Sequence, residues 1–145
     1  MKIALGNDHH GVDVKNRIIS YLDNRNIEYI NFGTDTKDNV DYIVYAKKVC
    51  KSIQNKECDL GILICGTGIG MSIAANKFKS IRCGKVNNKE EARLTKEHNM
   101  SNVMALSEKI ENLEEVLDAY LNTDYSKEER HKRRIREIKE VENNG

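Results

Sequence analysis

Short apolar runs alternate along the chain with longer stretches whose apolar residues recur every three or four positions. The short runs predict strands over residues 2–5, 29–32, 60–65, 81–86 and 102–105. The longer stretches predict helices over 12–24, 41–55, 70–78, 89–98, 113–121 and 127–141. In the first of these, Val14, Ile18, Tyr21 and Leu22 share one face. Strands separated by helices imply successive right-handed βαβ units and a parallel sheet. The run from Leu60 to Cys65 carries no polar side chain, as suits a central strand covered on both faces. The expectation is one α/β domain over residues 1–145, a five-stranded parallel sheet in a three-layer α/β/α stack. No strand follows the last helix, about 127–142, which is therefore expected to reach a neighbouring subunit.

Composition narrows the function. A chain of 145 residues buries roughly two thirds of its unfolded surface and needs no covalent staple. Charged residues make up 32% yet the net charge is +1, which creates no field for nucleic acid or a membrane surface. There is no Trp to stack on bases. Proline is absent, so Gly, Asn and Asp are expected to build the turns. No apolar run approaches the roughly 20 residues of a membrane span. Residues 1–6 form one short apolar run without a signal peptide's core or cleavage site, and a cytoplasmic protein is expected. Cys50, Cys58, Cys65 and Cys83 contain no C-x-x-C pair, which argues against structural zinc. Disulfides are not expected in such a chain.

Ligands of open α/β sheets bind beyond the carboxyl ends of the strands. The segments that follow predicted strands therefore carry the candidate chemistry. The first is Gly6-Asn7-Asp8-His9-His10-Gly11. The third strand leads into Cys65-Gly66-Thr67-Gly68-Ile69-Gly70-Met71-Ser72. Three glycines at alternate positions let the backbone turn tightly and aim several N–H groups one way. A helix begins at once, and its positive end would face the same place. The spacing is neither the dinucleotide G-x-G-x-x-G nor a P-loop. Cys65 borders this anion hole and reads either as a buried strand-end cysteine or as an activated thiol. The other three cysteines read as core. Asp8 reads as a helix cap beside solvated histidines, or as part of a cluster for sugar oxygens. His98 reads as a surface residue near a helix end. Arg130 and Arg134, four apart, either grip a phosphate or belong to a salt-bridged helix rich in glutamate.

In combination, several stretches resemble the type B ribose-5-phosphate isomerases, within a wider family of sugar-phosphate isomerases. They are Gly6-x-Asp8-His9-x-Gly11, Phe32-Gly33-Thr34, Asp41-Tyr42, the Gly61–Gly70 run, Ala74-Ala75-Asn76-Lys77, Glu97-His98-Asn99 and Arg130-His131-x-x-Arg134. The resemblance implies a Rossmann-like fold and a homodimer with active sites at the subunit interface, two dimers pairing into a tetramer in some members. It implies interconversion of D-ribose 5-phosphate and D-ribulose 5-phosphate, a step of the pentose phosphate pathway, without metal or cofactor. By the same resemblance Cys65 is the base, assisted by Thr67. His98 opens the furanose ring, and Asp8 helps to hold the ring oxygen. Gly66, Gly68, Ile69, Gly70 and Ser72 stabilise the intermediate. Tyr42 and Asn99 contact the sugar. His9, Arg130 and Arg134 serve the phosphate, some of them from the neighbouring subunit.

Two departures stand out. Ile43 replaces the family's usual proline. Ser107-Glu108-Lys109 replaces Gly-x-Arg, whose arginine helps to bind phosphate; Lys109 keeps the charge but loses the planar fork. The expectation is that Lys109 contacts phosphate as a point charge or leaves that role to Arg130 and Arg134. Alternative readings are an isomerase of allose or galactose 6-phosphate, or a non-catalytic sugar-phosphate-binding module. The galactose enzymes divide the cysteine and the histidine between unlike subunits; this chain keeps both.

Overall fold

A computed structural model describes residues 1–145. Five parallel strands form one sheet in the order β2-β1-β3-β5-β4. They are β1 (Lys2–Asn7), β2 (Glu28–Asn31), β3 (Leu60–Cys65), β4 (Cys83–Lys85) and β5 (Val103–Ser107). Six helices follow the strands: α1 (Val12–Asn24), α2 (Tyr42–Gln54), α3 (Ile69–Ala75), α4 (Lys89–Glu97), α5 (Leu113–Asn122) and α6 (Glu129–Asn144).

β3 is buried at every position, as its unbroken apolar run requires. Its side chains divide between two cores. Ile62 and Ile64 pack with Ile3, Leu5 and the apolar stripes of α1, α4 and α5. Leu63 and Cys65 pack on the opposite face with Ala4, Ala105 and the stripes of α2 and α3. Val14, Ile18, Tyr21 and Leu22 all point into the first core, so the stripe read in α1 is its buried face.

The chain winds outward from β1 to β2 and then crosses back to β3 on the other side. Between β1 and β3 the connections therefore diverge, and a crevice opens at their carboxyl ends. β1 and β3 lie in parallel register, Gly6 beside Leu63 and Asn7 beside Ile64. Asp8 and Cys65 each follow by one residue, so both stand at that crevice.

Some elements differ from expectation. β4 pairs over only three residues, because it is an edge strand with a partner on one side. α3 starts at Ile69 and ends at Ala75, not 70–78. The Asn76 side chain stops it, bonding both the N–H and the carbonyl of Cys83 at 2.8 and 2.9 Å. The turns recruit more than Gly and Asn. Asn26, Asn112 and Gly68 take left-handed backbone, and so do Lys56, Ser80 and Met100.

Candidate active site

The loop after β3 is built around Cys65. Gly68 sits at φ +81°, where a residue with a Cβ is strained. That conformation turns the Gly68 N–H back onto the Cys65 Sγ at 3.1 Å. The Cys65 sulfur thus accepts a backbone hydrogen bond from its own loop. The Thr67 hydroxyl accepts the Ile69 N–H at 3.1 Å and steadies the next turn. α3 is only seven residues long, so the pocket's positive character comes from individual N–H groups more than from an extended helix dipole.

Two other cysteines, one buried and one partly buried, pack in the same core. Cys50 lies in the core, and burial pushes its thiol up to about 12. Burial does the same to Cys83, against a neighbouring Ser72 hydroxyl that pulls the other way. Both thiols are thus protonated near neutrality and inert. Ser72 is placed one turn into α3 with its hydroxyl toward Cys83 at the sheet edge.

The end of β5 is stitched to this loop. Glu108 N–H donates to the Cys65 carbonyl at 2.9 Å. The Ser107 hydroxyl donates to the Gly66 carbonyl at 2.8 Å and accepts the Lys109 N–H at 3.0 Å. The serine that replaces a flexible position therefore adds a tie. Gly66, Thr67 and Ile69 line a cavity of about 420 Å³ together with Ser107, Lys109, Lys85 and Glu111.

The β1 end supplies the other wall. Asp8 is buried and caps a short 3-10 turn, His9–Gly11, through the His10 N–H at 3.0 Å. His9 Nδ1 accepts the Val40 N–H at 3.2 Å, so in the neutral ring Nε2 carries the proton. His10 crosses Gly66 and pairs with Glu108 at 3.1 Å. Tyr42, at the start of α2, lies over Gly70: a Cβ built there would come within 2.8 Å of its ring. One chain thus brings together Cys65, Thr67, Gly66, Gly68, Ile69, Gly70, Asp8, His9, Tyr42 and Lys109.

His98, Asn99, Arg130 and Arg134 are not among them. α4 runs back from the end of β4, so His98, its C-terminal cap, lies at the amino edge of the sheet. Cys65 lies at the carboxyl edge, at the far end of a six-residue strand, and its five steps of about 3.3 Å put the edges roughly 16 Å apart. Within one chain, His98 and Cys65 therefore stand on opposite edges of the sheet.

His98 instead belongs to a second cluster. Its ring stacks on that of His131, centroids 4.3 Å apart. His131 is buried, and its Nδ1 meets the Ser126 hydroxyl at 2.7 Å, while Ser126 N–H donates to the Glu97 carbonyl at 2.9 Å. Burial lowers the His131 pKa, with His98, Arg130 and Arg134 acting in the same direction. Arg130 pairs with Glu128 at 2.8 Å, Arg133 with Glu137 and Arg136 with Glu129. The salt-bridged reading of α6 holds for these three, whereas Arg134 has no carboxylate partner. Asn99 lines a larger cavity, about 810 Å³, between the β4 edge and Ile138, Val141 and Glu142 of α6.

Three contacts were not read from the sequence. His10 clasps Glu108, and His131 backs His98. Lys15 is wholly buried and bonds the Thr34 carbonyl at 2.6 Å and the Asp35 carboxylate, holding the loop that leads to Val40. Its place on the apolar stripe beside Val14 and Ile18 was the available signal.

A doubly wound sheet with a thiol and backbone N–H groups at its switch point, and ammonium groups at the neighbouring strand ends, defines a protein with a pocket suited to a small anion. The chain belongs to the ribose/galactose isomerase family, whose model matches residues 3–138. It is 40% identical over 144 residues to the ribose-5-phosphate isomerase B of Escherichia coli strain K12, covering 97% of this chain and 96% of that one. Its fold is similar to that of ribose-5-phosphate isomerase B from Clostridium thermocellum, with a TM-score of 0.95, 40% identity and 99% of each chain covered. The Mycoplasma genitalium ribose-5-phosphate isomerase B, solved with bound ribulose-5-phosphate, is also similar. Its TM-score is 0.91 at 32% identity, over 99% of this chain and 97% of that chain.

Proposed function

We propose that this chain is a ribose-5-phosphate isomerase, interconverting D-ribose 5-phosphate and D-ribulose 5-phosphate. The observation that carries the reading is the Gly68 N–H aimed at the Cys65 Sγ, beside a cavity walled by two lysines. That arrangement suits a base next to an anionic substrate.

The Cys65 thiolate takes the proton from carbon 2 while negative charge moves onto the oxygen of carbon 1. Backbone N–H groups of the Gly66–Gly70 loop, other than those of Gly68 and Ile69 that bond the Cys65 Sγ and the Thr67 hydroxyl, stabilise the enediolate. The proton returns to carbon 1 while the carbon 2 hydroxyl passes its own proton to the oxygen of carbon 1 and becomes the carbonyl. Thr67 steadies the loop, and Asp8 and Tyr42 hold sugar hydroxyls. The phosphate falls to His9 and Lys109.

The furanose must open first, which calls for an acid/base, and imidazole serves either way near neutrality. His98 stands at the far edge of its own sheet, so the reading takes it, with Asn99, Arg130 and Arg134, from a second copy. A homodimer is therefore part of the proposal. It draws support from exposed apolar residues next to the site, Tyr42, Ile43, Ile69 and Ile73, and from Ile138 and Val141 on α6. No helix is long and apolar enough to cross a membrane. A single domain working in the cytoplasm, without metal or cofactor, completes the reading.

The test is an isomerase assay with ribose 5-phosphate on the wild type and on Cys65→Ala. The wild type converts it and the variant loses about 100-fold or more, the range of a removed general base. Full activity in Cys65→Ala refutes the assignment of the base.

A further inference from the structure

We propose that Lys85 is a second phosphate-binding residue, acting with Lys109 on the substrate's phosphate in the cavity at the ends of β3, β4 and β5. The proposal rests on the isomerase reading and adds a residue to its phosphate subsite.

The geometry begins with strand alternation. On β4 the Cβ direction of Gly84 leads into Thr95 of α4, with the Thr95 Oγ1 only 2.0 Å from an added Cβ. Successive side chains of a strand point to opposite faces. Lys85 therefore rises on the other face, the one that carries Cys65 and α3. In register Lys85 lies beside Ala105, and Ser107 and Lys109 follow two and four residues later. The Lys85 and Lys109 side chains so reach one cavity, floored by Gly66 and Thr67.

The wall carries an excess of positive charge. Neither Lys85 nor Lys109 forms an ion pair, whereas Lys15 and Lys37 are paired with Asp35 and Asp13. The Lys85 ammonium bonds the Asn87 side-chain oxygen, a neutral acceptor that aims it without cancelling its charge. Glu108 beside the cavity is engaged by His10 at 3.1 Å. Glu111 is the one carboxylate on the wall, against two ammonium groups.

The chemistry explains why two are needed. A phosphate dianion offers three oxygens in a tetrahedral spread. An arginine fork binds two of them in a plane, but a single ammonium is a point charge that meets one direction at a time. Two ammonium groups approaching from different strand ends bracket the anion and restore the charge that the missing guanidinium would have supplied. Lys109 stands where the family resemblance implies an arginine, and Lys85 faces the same space.

The experiment compares wild type, Lys85→Ala, Lys85→Arg and Lys109→Ala. In Lys85→Ala the KM for ribose 5-phosphate rises about tenfold, the scale of one charge-assisted hydrogen bond, and kcat changes far less. Lys85→Arg recovers most of the affinity, and the thermal midpoint of Lys85→Ala matches the wild type. An unchanged KM, or equal falls in kcat and in apparent affinity, overturns the proposal. Inorganic phosphate, titrated calorimetrically, separates this claim from the isomerase reading. Phosphate binding weakened about tenfold in Lys85→Ala supports the subsite even if ribose 5-phosphate is not turned over. Equal binding to both proteins refutes it even if it is.

Discussion

Gly68→Ala perturbs the site at a single atom. Gly68 sits at φ +81°, and holding an L-residue in left-handed backbone costs roughly 1–2 kcal/mol. The new Cβ would also stand 2.9 Å from the Leu106 carbonyl carbon, 3.1 Å from its oxygen and 3.2 Å from Ser107 N. Those are backbone atoms of β5, locked in the sheet, so the loop must give way instead. Overpacking of that kind adds roughly 1–3 kcal/mol. Urea unfolding should therefore show a loss of about 2–5 kcal/mol. As the loop moves, the N–H that meets the Cys65 Sγ at 3.1 Å moves with it. Removing one such donor costs about 2.7–4 kcal/mol of barrier, or roughly 100- to 1000-fold in kcat. Gly70→Ala is the control: its Cβ would meet the Tyr42 ring at 2.8 Å, and an exposed side chain can swing aside. That variant should lose substrate affinity more than stability. A folded Gly68→Ala enzyme with wild-type kcat refutes the role assigned to the Gly68 N–H.

Two further outcomes follow from the second cluster. Cys65→Ala and His98→Ala, each nearly inactive alone, regain about a quarter of the wild-type sites when refolded together, because half of a random mixture of two-fold dimers is mixed and each mixed dimer holds one intact site. Activity of the mixture no greater than the sum of the parts refutes a shared site. His131 is held below its usual pKa by burial, His98, Arg130 and Arg134, with Glu128 pulling the other way. The unfolded chain then binds more protons on this residue than the folded one. Its contribution is intact above about pH 6.5 and is lost as pH falls through the folded pKa. The thermal midpoint should drop more steeply between about pH 7.5 and 5 in the wild type than in His131→Gln. Parallel curves refute the assignment.

The parts legible in the sequence are those fixed by local pattern. β1 and β3 follow from apolar runs, and the stripe of α1 from its 3.6-residue period. The Cys65 loop follows from its glycines. The length of β4 was not legible, since pairing at an edge depends on a neighbour and not on the strand's own residues. The early stop of α3 comes from the Asn76 side chain reaching Cys83 seven positions on, a contact no periodicity reports. The separation of Cys65 from His98 was available in the element order, because one residue ends a strand and the other precedes one. The family resemblance grouped them by role and carried no information about edges. Lys85 was invisible for the same reason that β4 was uncertain: only the fold sets it beside Lys109.

The placement of base and ring-opening acid on opposite edges has a consequence for how much work one chain can do. Under the proposed pairing, catalytic capacity belongs to pairs of chains. Well below the dissociation constant of the pair, the rate rises with the square of chain concentration, so each molecule turns over less as the protein is diluted. The same division means that either copy could lose one half of the chemistry while the pair kept one working centre. Cys65 and His98 are thus free to drift apart in separate lineages in a way that two neighbours in one cleft never are.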